Sequence, residues 1–174
     1  HLRVADGRIA ELGAGDPDRR AWPADTRVIE LHGRLLAPGF VDTHVHGGGG
    51  ADTMDATAEA LAQVARAHAA GGTTSFLPTT VAAPLAHLEE VFEAHRAFLA
   101  RPPQGARSLG LHLEGPYLNP EQAGALDAGA MRTPDGDDLD ALLAPRHHVR
   151  RMTAAPELPG GMAPVSYTHL RAHE

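Results

Sequence analysis

"GFVDTHVHGGGGADTMD", residues 39 to 55, places two histidines one residue apart on an apolar stretch and follows them with four consecutive glycines. Phe40 to Val45 has the texture of a buried strand. Alternate residues of a strand share a face, so Asp42, His44 and His46 point one way and Val41, Thr43 and Val45 the other. His44 and His46 then stand roughly 6.6 Å apart along the strand. Two imidazoles at that spacing can lean onto one ion at ~2.0–2.1 Å. The glycines let the backbone turn sharply and leave room for whatever the histidines hold. A plainer reading stays open from the spacing alone: one core histidine and one solvent histidine at a strand end.

Working outward, strand and helix patterns alternate. Ala58 to Ala70 carries Leu61, Val64, Ala65 and His68 at helical spacing, with Thr57 as N-cap and Gly71-Gly72 as the stop. Thr73 to Pro78 reads as a second strand. Leu85 to Leu99 reads as a second helix with Leu85, Leu88, Val91, Phe92 and Leu99 on one face. Ser108 to Leu113 gives a third strand, Leu139 to Leu143 the start of a third helix, and Val149 to Ala155 a fourth strand. This alternation predicts parallel βαβ units joined by right-handed crossovers. Upstream, residues 2 to 12 predict a hairpin turning at Asp6-Gly7. Residues 13 to 27 are loop, and Val28 to Leu31 with Arg34 to Ala37 suggest another short strand pair around His32-Gly33.

Composition removes several classes of function. The chain has 174 residues, enough for one ordinary domain. A hydrophobic content of 43% supports a core. Aromatic residues at 4% and a net charge of -7 argue against a nucleic-acid partner. With no cysteine there is no disulfide frame and no thiolate metal site. No apolar run reaches the roughly 20 residues that cross a bilayer, and no leader pattern is present, so the expected location is the cytoplasm with no membrane partner. Twelve histidines beside two tyrosines and one tryptophan point to metal or proton chemistry where they cluster.

A second cluster of ligand-type residues is "LGLHLEGPYLNP", residues 109 to 120. His112 and Glu114 share a face by the period of two. A carboxylate at the end of an apolar strand is costly unless paired or metal-bound. Two strands of one parallel sheet that both end in ligand-type residues fit the C-terminal face of an α/β barrel, where active sites lie. Elsewhere the plain readings are favoured. Glu157, in "TAAPE", reads as a helix-start residue. The hydroxyls closing "TTSFLPTT" read as turn caps. His68, His87 and His95 read as surface or packing residues, and His147-His148 as a charged-loop pair. Asp135 to Asp140 is an acidic helix start, which suits the helix dipole.

Taken together, "APGFVDTHVHGGGGADTMDA", "GTTSFLPTT" and "GLHLEGPYLNPEQAGA" resemble the N-acetylglucosamine-6-phosphate deacetylases of the amidohydrolase superfamily. The resemblance runs from about residue 2 to about residue 161. It implies an α/β fold, the first half of a (β/α)8 TIM-type barrel preceded by part of a small β-sandwich. The corresponding divisions are residues 1–37 for the sandwich part, 38–164 for the first four β/α units and 165–174 for a tail foreign to the fold.

The resemblance also implies a divalent metal, with zinc foremost and iron or manganese as alternatives. Glu114 would be the metal-ligand glutamate, with His44 and His46 as the H-x-H pair. Ala125 and Leu126 would contact the sugar, where the family's usual Gly-Ala-His reads Gly124-Ala125-Leu126. The implied reaction is removal of the acetyl group of N-acetylglucosamine 6-phosphate, giving glucosamine 6-phosphate and acetate. The alternatives are a cyclic-amide hydrolase similar to dihydroorotase, and a half-barrel without catalysis. A whole barrel needs about 250 residues. The family's catalytic aspartate and its later metal histidines are expected beyond these four strands, so no catalytic residue is assigned. The resemblance further implies a homodimer. His169 and His173 stand four apart but lack the glutamate of H-E-x-x-H and are not taken as ligands.

Overall fold

The computed structural model describes residues 1–101, 105–144 and 147–164. The chain divides into two compact units, His1–Ala37 and Pro38–Glu174. The expected foreign tail, residues 165–174, lies outside the described residues.

In the first unit, β1 (Leu2–Ala5) and β2 (Arg8–Leu12) form an antiparallel hairpin. Asp6 and Gly7 both take positive φ, 51° and 70°, the twist that a two-residue hairpin turn requires. The second expected pair, Val28 to Leu31 with Arg34 to Ala37, does not form. Its turn is present: His32 and Gly33 take φ of 50° and 80°, and Arg34 N donates to Leu31 O at 3.0 Å. The ladder is not. Ile29 is 67% and Leu35 97% exposed, and a two-stranded ribbon without cover for its apolar face is marginal in water.

The second unit is built on a parallel sheet. β3 (Phe40–Val45), β6 (Thr73–Thr80), β8 (Leu111–Glu114) and β9 (Val149–Thr153) lie side by side in that order, all parallel. The connections carry α1 (Ala58–Ala70), α2 (Leu85–Leu99) and α3 (Gly136–Leu142). Such a succession of βα units is half of a TIM-type barrel. A short strand, β7 (Arg107–Ser108), also pairs with β6.

The helices form where the pattern places them. Thr57 accepts from Ala60 N at the start of α1, and Gly71 caps its end. Leu61, Val64 and Ala65 are buried. α3 begins at Gly136, three residues earlier than expected, because Asp135 caps it by accepting from Asp137 N. On α2, Leu88, Val91 and Phe92 are buried. Leu99, expected on that face, is the last helical residue and is 42% exposed; Phe98 fills the final core position instead.

Two packed clusters stabilise the sheet. One joins Val45, Leu61, Val64, Phe76 and Phe98. The other joins Leu88, Phe92, Leu111, Leu113, Tyr117 and Leu142. Each fully buried side chain of this kind contributes about 1.5–3 kcal/mol.

Two strands differ from expectation. β3 is not buried: only Val45 among its six residues is, because among the described residues β3 is an edge strand with β6 as its single neighbour. The third strand is split in two: Gly110, at φ 133°, breaks the run between β7 and β8. β6 runs two residues longer than expected, to Thr80, and β9 ends at Thr153.

The four glycines do a different job from leaving room for a ligand. β4 (Gly47–Gly48) and β5 (Ala51–Asp52) close a tight hairpin through Gly49 and Gly50, at φ 65° and 86°. A Cβ on Gly47 would meet the Ala51 carbonyl at 2.4 Å. The hairpin is tied to α1, with His68 Nε2 3.1 Å from Gly47 O and Gln63 donating to Gly49 O.

Candidate functional site

β3 and β8 point their C-terminal ends the same way, and this brings three donors together. His46 Nε2 lies 3.0 Å and His44 Nε2 3.5 Å from Glu114 Oε2. The two Nε2 atoms are 3.0 Å apart. One donor atom from each residue falls within a 4.8 Å cluster. The two histidine side chains are 41% and 37% exposed and Glu114 19%, so the group is open to a ligand from solvent. Asp42, on the same face, does not join them; its Oδ1 accepts from His44 N at 3.1 Å.

The chemistry of this set fits a divalent cation. His46 Nδ1 is 3.2 Å from the Thr79 carbonyl. A carbonyl only accepts, so Nδ1 carries the proton and Nε2 presents its lone pair. Four-coordinate ligation at ~2.0–2.1 Å brings donor atoms to about 3.3 Å of each other, close to the spacings here. Two imidazoles and one carboxylate suit zinc, iron and manganese alike. The group is a possible metal site.

Beside it opens a cleft of about 550 Å³. His46 and Glu114 line it, as do both expected sugar contacts, Ala125 and Leu126. Asn119, Gln122 and Glu157 supply the remaining polar side chains. Glu157 does not start a helix. It sits in a turn after β9 and accepts from Asn119 Nδ2 at 3.2 Å. Asn119 in turn caps the short helical turn Pro120–Gln122 by accepting from Glu121 N. The loop carrying Asn119 and Gln122 is clamped from behind. Arg132 donates to both oxygens of Asp138, and Tyr117 donates to Asp138 at 2.9 Å. Burial, then the bond to Asp138, raises the Tyr117 hydroxyl. Burial pushes the Asp138 carboxyl up, but the bonds from Arg132 and Tyr117 outweigh it and hold it below its ordinary range.

His112 is fully buried beside these donors, and burial, with the charge of Arg151, lowers it to about 4. It is neutral at pH 7. The hydroxyls closing β6 are not turn caps: Thr79 is buried, takes the Val45 amide at 2.8 Å and lies 3.3 Å from His112 Nδ1.

The other histidines hold the frame. His87 contacts Met54 O, and His95 lies buried against Ser108 at 2.8 Å. His147 is no exposed loop residue: it is 3% exposed and its ring stands 4.2 Å from that of Phe92. His169 and His173 fall outside the described residues. Spacing gave no signal for Glu157, Asn119 or Gln122, which reach the cleft from two loops. The proline after each of Asn119 and Ala155 marked only the turns that carry them.

Residues 35–164 match the amidohydrolase family. An N-acetylgalactosamine-6-phosphate deacetylase of Escherichia coli O157:H7 is 37% identical over 95% of this chain and 42% of its own length. An N-acetylglucosamine-6-phosphate deacetylase of Homo sapiens is 42% identical over 90% of this chain and 39% of its own length. A variant of the Mycobacterium smegmatis N-acetyl-D-glucosamine-6-phosphate deacetylase, solved in complex with N-acetyl-D-glucosamine-6-phosphate, superposes with a TM-score of 0.73 at 33% identity, covering 95% of this chain and 41% of that one. The chain thus spans about two fifths of the length of these relatives. No helix among the described residues is long and apolar enough to cross a membrane. By the match over residues 35–164 and these identities, the chain belongs to the amidohydrolase family.

Proposed function

We propose that the whole protein hydrolyses the N-acetyl amide of N-acetylglucosamine 6-phosphate, releasing acetate and glucosamine 6-phosphate, with His44, His46 and Glu114 holding a divalent metal, zinc foremost. The observation that carries this reading is that the His44–His46–Glu114 donor set borders, through His46 and Glu114, a cleft whose walls bear amides and a carboxylate. The names of the similar proteins support the substrate class.

The cation, when bound, supplies Lewis-acid polarisation of the acetyl carbonyl. The chain's own residues do the rest. Glu114 offsets part of the cation's charge. His46 faces the Thr79 carbonyl with Nδ1, which leaves Nε2 to present its lone pair. Asn119, Gln122 and Glu157 suit the hydroxyls of a sugar, since side-chain amides both donate and accept and a carboxylate accepts. Ala125 offers its backbone, and Leu126 a half-buried apolar wall. No acid–base residue is assigned to this chain.

The test is acetate release. The whole protein, loaded with zinc, should liberate acetate from N-acetylglucosamine 6-phosphate, and a chelator should stop it. Dihydroorotate, a cyclic amide, should not be opened. Turnover of the cyclic amide without turnover of the amino sugar overturns the reading.

A further inference from the structure

A chain of buried polar contacts crosses the sheet directly beside the two ligand histidines. Thr79 and His112 are both fully buried. The Thr79 hydroxyl lies 3.0 Å from the Leu77 carbonyl, which can only accept, so the hydroxyl donates there. Its oxygen is then free to accept twice: from Val45 N at 2.8 Å and from His112 Nδ1 at 3.3 Å. With its proton on Nδ1, His112 accepts at Nε2 from the Thr153 hydroxyl at 2.8 Å. The directions of these bonds are mutually consistent, and the Thr43 carbonyl also faces the His112 ring. The run joins β3, β6, β8 and β9, across sequence separations of 33 to 41 residues.

Its position matters more than its length. Val45 is the residue between the two ligands. The register of β3 against β6 slips between Asp42 and Val45, so the Val45 amide falls to the Thr79 side chain. Beside this slip the Nε2 atoms of His44 and His46 lie 3.0 Å apart. The same Thr79 offers its carbonyl to His46 Nδ1. The His112 ring stands edge-on to His44, with centroids 4.8 Å apart and planes at 86°.

We propose that Thr79 and His112 are positioning residues for the metal ligands: the Thr79 carbonyl sets the tautomer of His46, its hydroxyl holds the slipped backbone between the ligands, and His112, braced by Thr153, backs the ring of His44. This rests on His44, His46 and Glu114 being the cation site. Groups that orient a ligating histidine through its second nitrogen alter metal affinity about 10–100-fold when lost.

The experiment is zinc affinity, by competition with a chromophoric chelator, for wild type and four variants. Glu114→Gln should abolish tight binding. Thr79→Val, which removes the hydroxyl that holds the Val45 amide but keeps the carbonyl facing His46, should weaken it about tenfold, and Thr79→Ser, which keeps the hydroxyl, should stay within about threefold of wild type. Thr153→Val should weaken it about tenfold by releasing His112. A merely structural Thr79 would lower thermal stability without changing the affinity of the folded protein. If wild type binds no zinc, or Glu114→Gln binds like wild type, the cation site and the positioning role fall together. If Glu114→Gln loses zinc while Thr79→Val keeps it, the positioning role alone is overturned. Should Thr79→Val fail to fold, Thr153→Val and the imidazole ¹⁵N shifts of His46 in metal-free wild type decide. An Nδ1–H tautomer and weakened Thr153→Val support the role. An Nε2–H tautomer, or unchanged affinity in Thr153→Val, overturns it.

Discussion

β3 and β8 both end in ligand-type side chains, yet the surroundings of the two strands differ in nearly every respect. β8 runs between β6 and β9, and Leu111, His112 and Leu113 are completely buried. β3 has β6 alone beside it among the described residues, and Phe40 and Val41 are 69% and 60% exposed. Glu114 is therefore held by close packing, which is stiff in all directions. His44 and His46 are held by a few directed hydrogen bonds through Thr79 and the glycine hairpin. A site assembled this way has one fixed wall and one adjustable wall. A cation bridging the two would couple a local, polar structure to the core.

The largest effect should separate the strands by packing. Leu113→Ala removes a side chain at 0% exposure from the second cluster. It should cost about 2–5 kcal/mol in urea denaturation. Val41→Ala, on exposed β3, should stay within about 0.5 kcal/mol. Comparable losses for both would mean that β3 is packed as tightly as β8 and would end the contrast.

Zinc should act next, and on one strand. At a hundredfold excess over its Kd, a ligand that binds only the native state stabilises it by about 2.7 kcal/mol. The edge strand has most to gain from a tether. Hydrogen exchange of residues 40–52 should slow on adding zinc, while residues 111–114 change little. Glu114→Gln should remove the slowing. Equal protection of both strands would place the adjustable wall elsewhere.

The two strands were also unequal in what the sequence disclosed. The clustering of His44, His46 and Glu114 was legible because each half is local: period-two spacing put His44 beside His46, and Glu114 closed an apolar run before Gly115-Pro116. The burial of β3 was misjudged because an apolar hexapeptide reads alike whether a sheet covers it or not. The ladder expected around His32-Gly33 failed for the same reason: the turn is local, but the cover for Ile29 and Leu35 is not. Glu157 and the Thr79–His112–Thr153 run were invisible because their meaning lies in partners 33 to 41 residues away. Short spacings write themselves into a sequence. Contacts across a sheet do so only through the fold.

Acid should expose the buried frame that keeps β8 rigid. His95 is buried on α2 against Ser108, just ahead of β8, and burial, helped by the charge of His148, lowers it to about 4. The unfolded chain takes up a proton near the ordinary value of about 6.5. Between those values the unfolded state binds more protons, so stability rises with pH and is lost as pH falls. The slope from His95 reaches at most about 1.4 kcal/mol per pH unit. His95→Gln should flatten the decline between pH 6.5 and 4, at some cost in stability at pH 7. An unchanged slope would show that His95 is protonated while folded.

The smallest effect should fall on the adjustable wall alone. His68 lies on the inner side of α1 and meets Gly47 O at 3.1 Å, so it holds the hairpin that follows His44 and His46. Its ring also stacks on Phe76, with centroids 6.3 Å apart and planes at 10°. His68→Ala removes one net hydrogen bond, which contributes about 0.5–1.5 kcal/mol. The helix itself should not suffer, because alanine favours a helix more than histidine does. Gln63, bonded to Gly49 O, still ties the tip of the hairpin. The loss should therefore appear as faster exchange in residues 45–53 with little change in the global transition or in residues 111–114. Thr53 N, which donates to His46 O at 2.7 Å, is the amide placed to report it, since it ties the far end of the hairpin to His46. A global loss above about 2 kcal/mol would instead make His68 part of the first core through Phe76. β3 would then owe its position to packing after all, and the two walls of the site would differ only in degree.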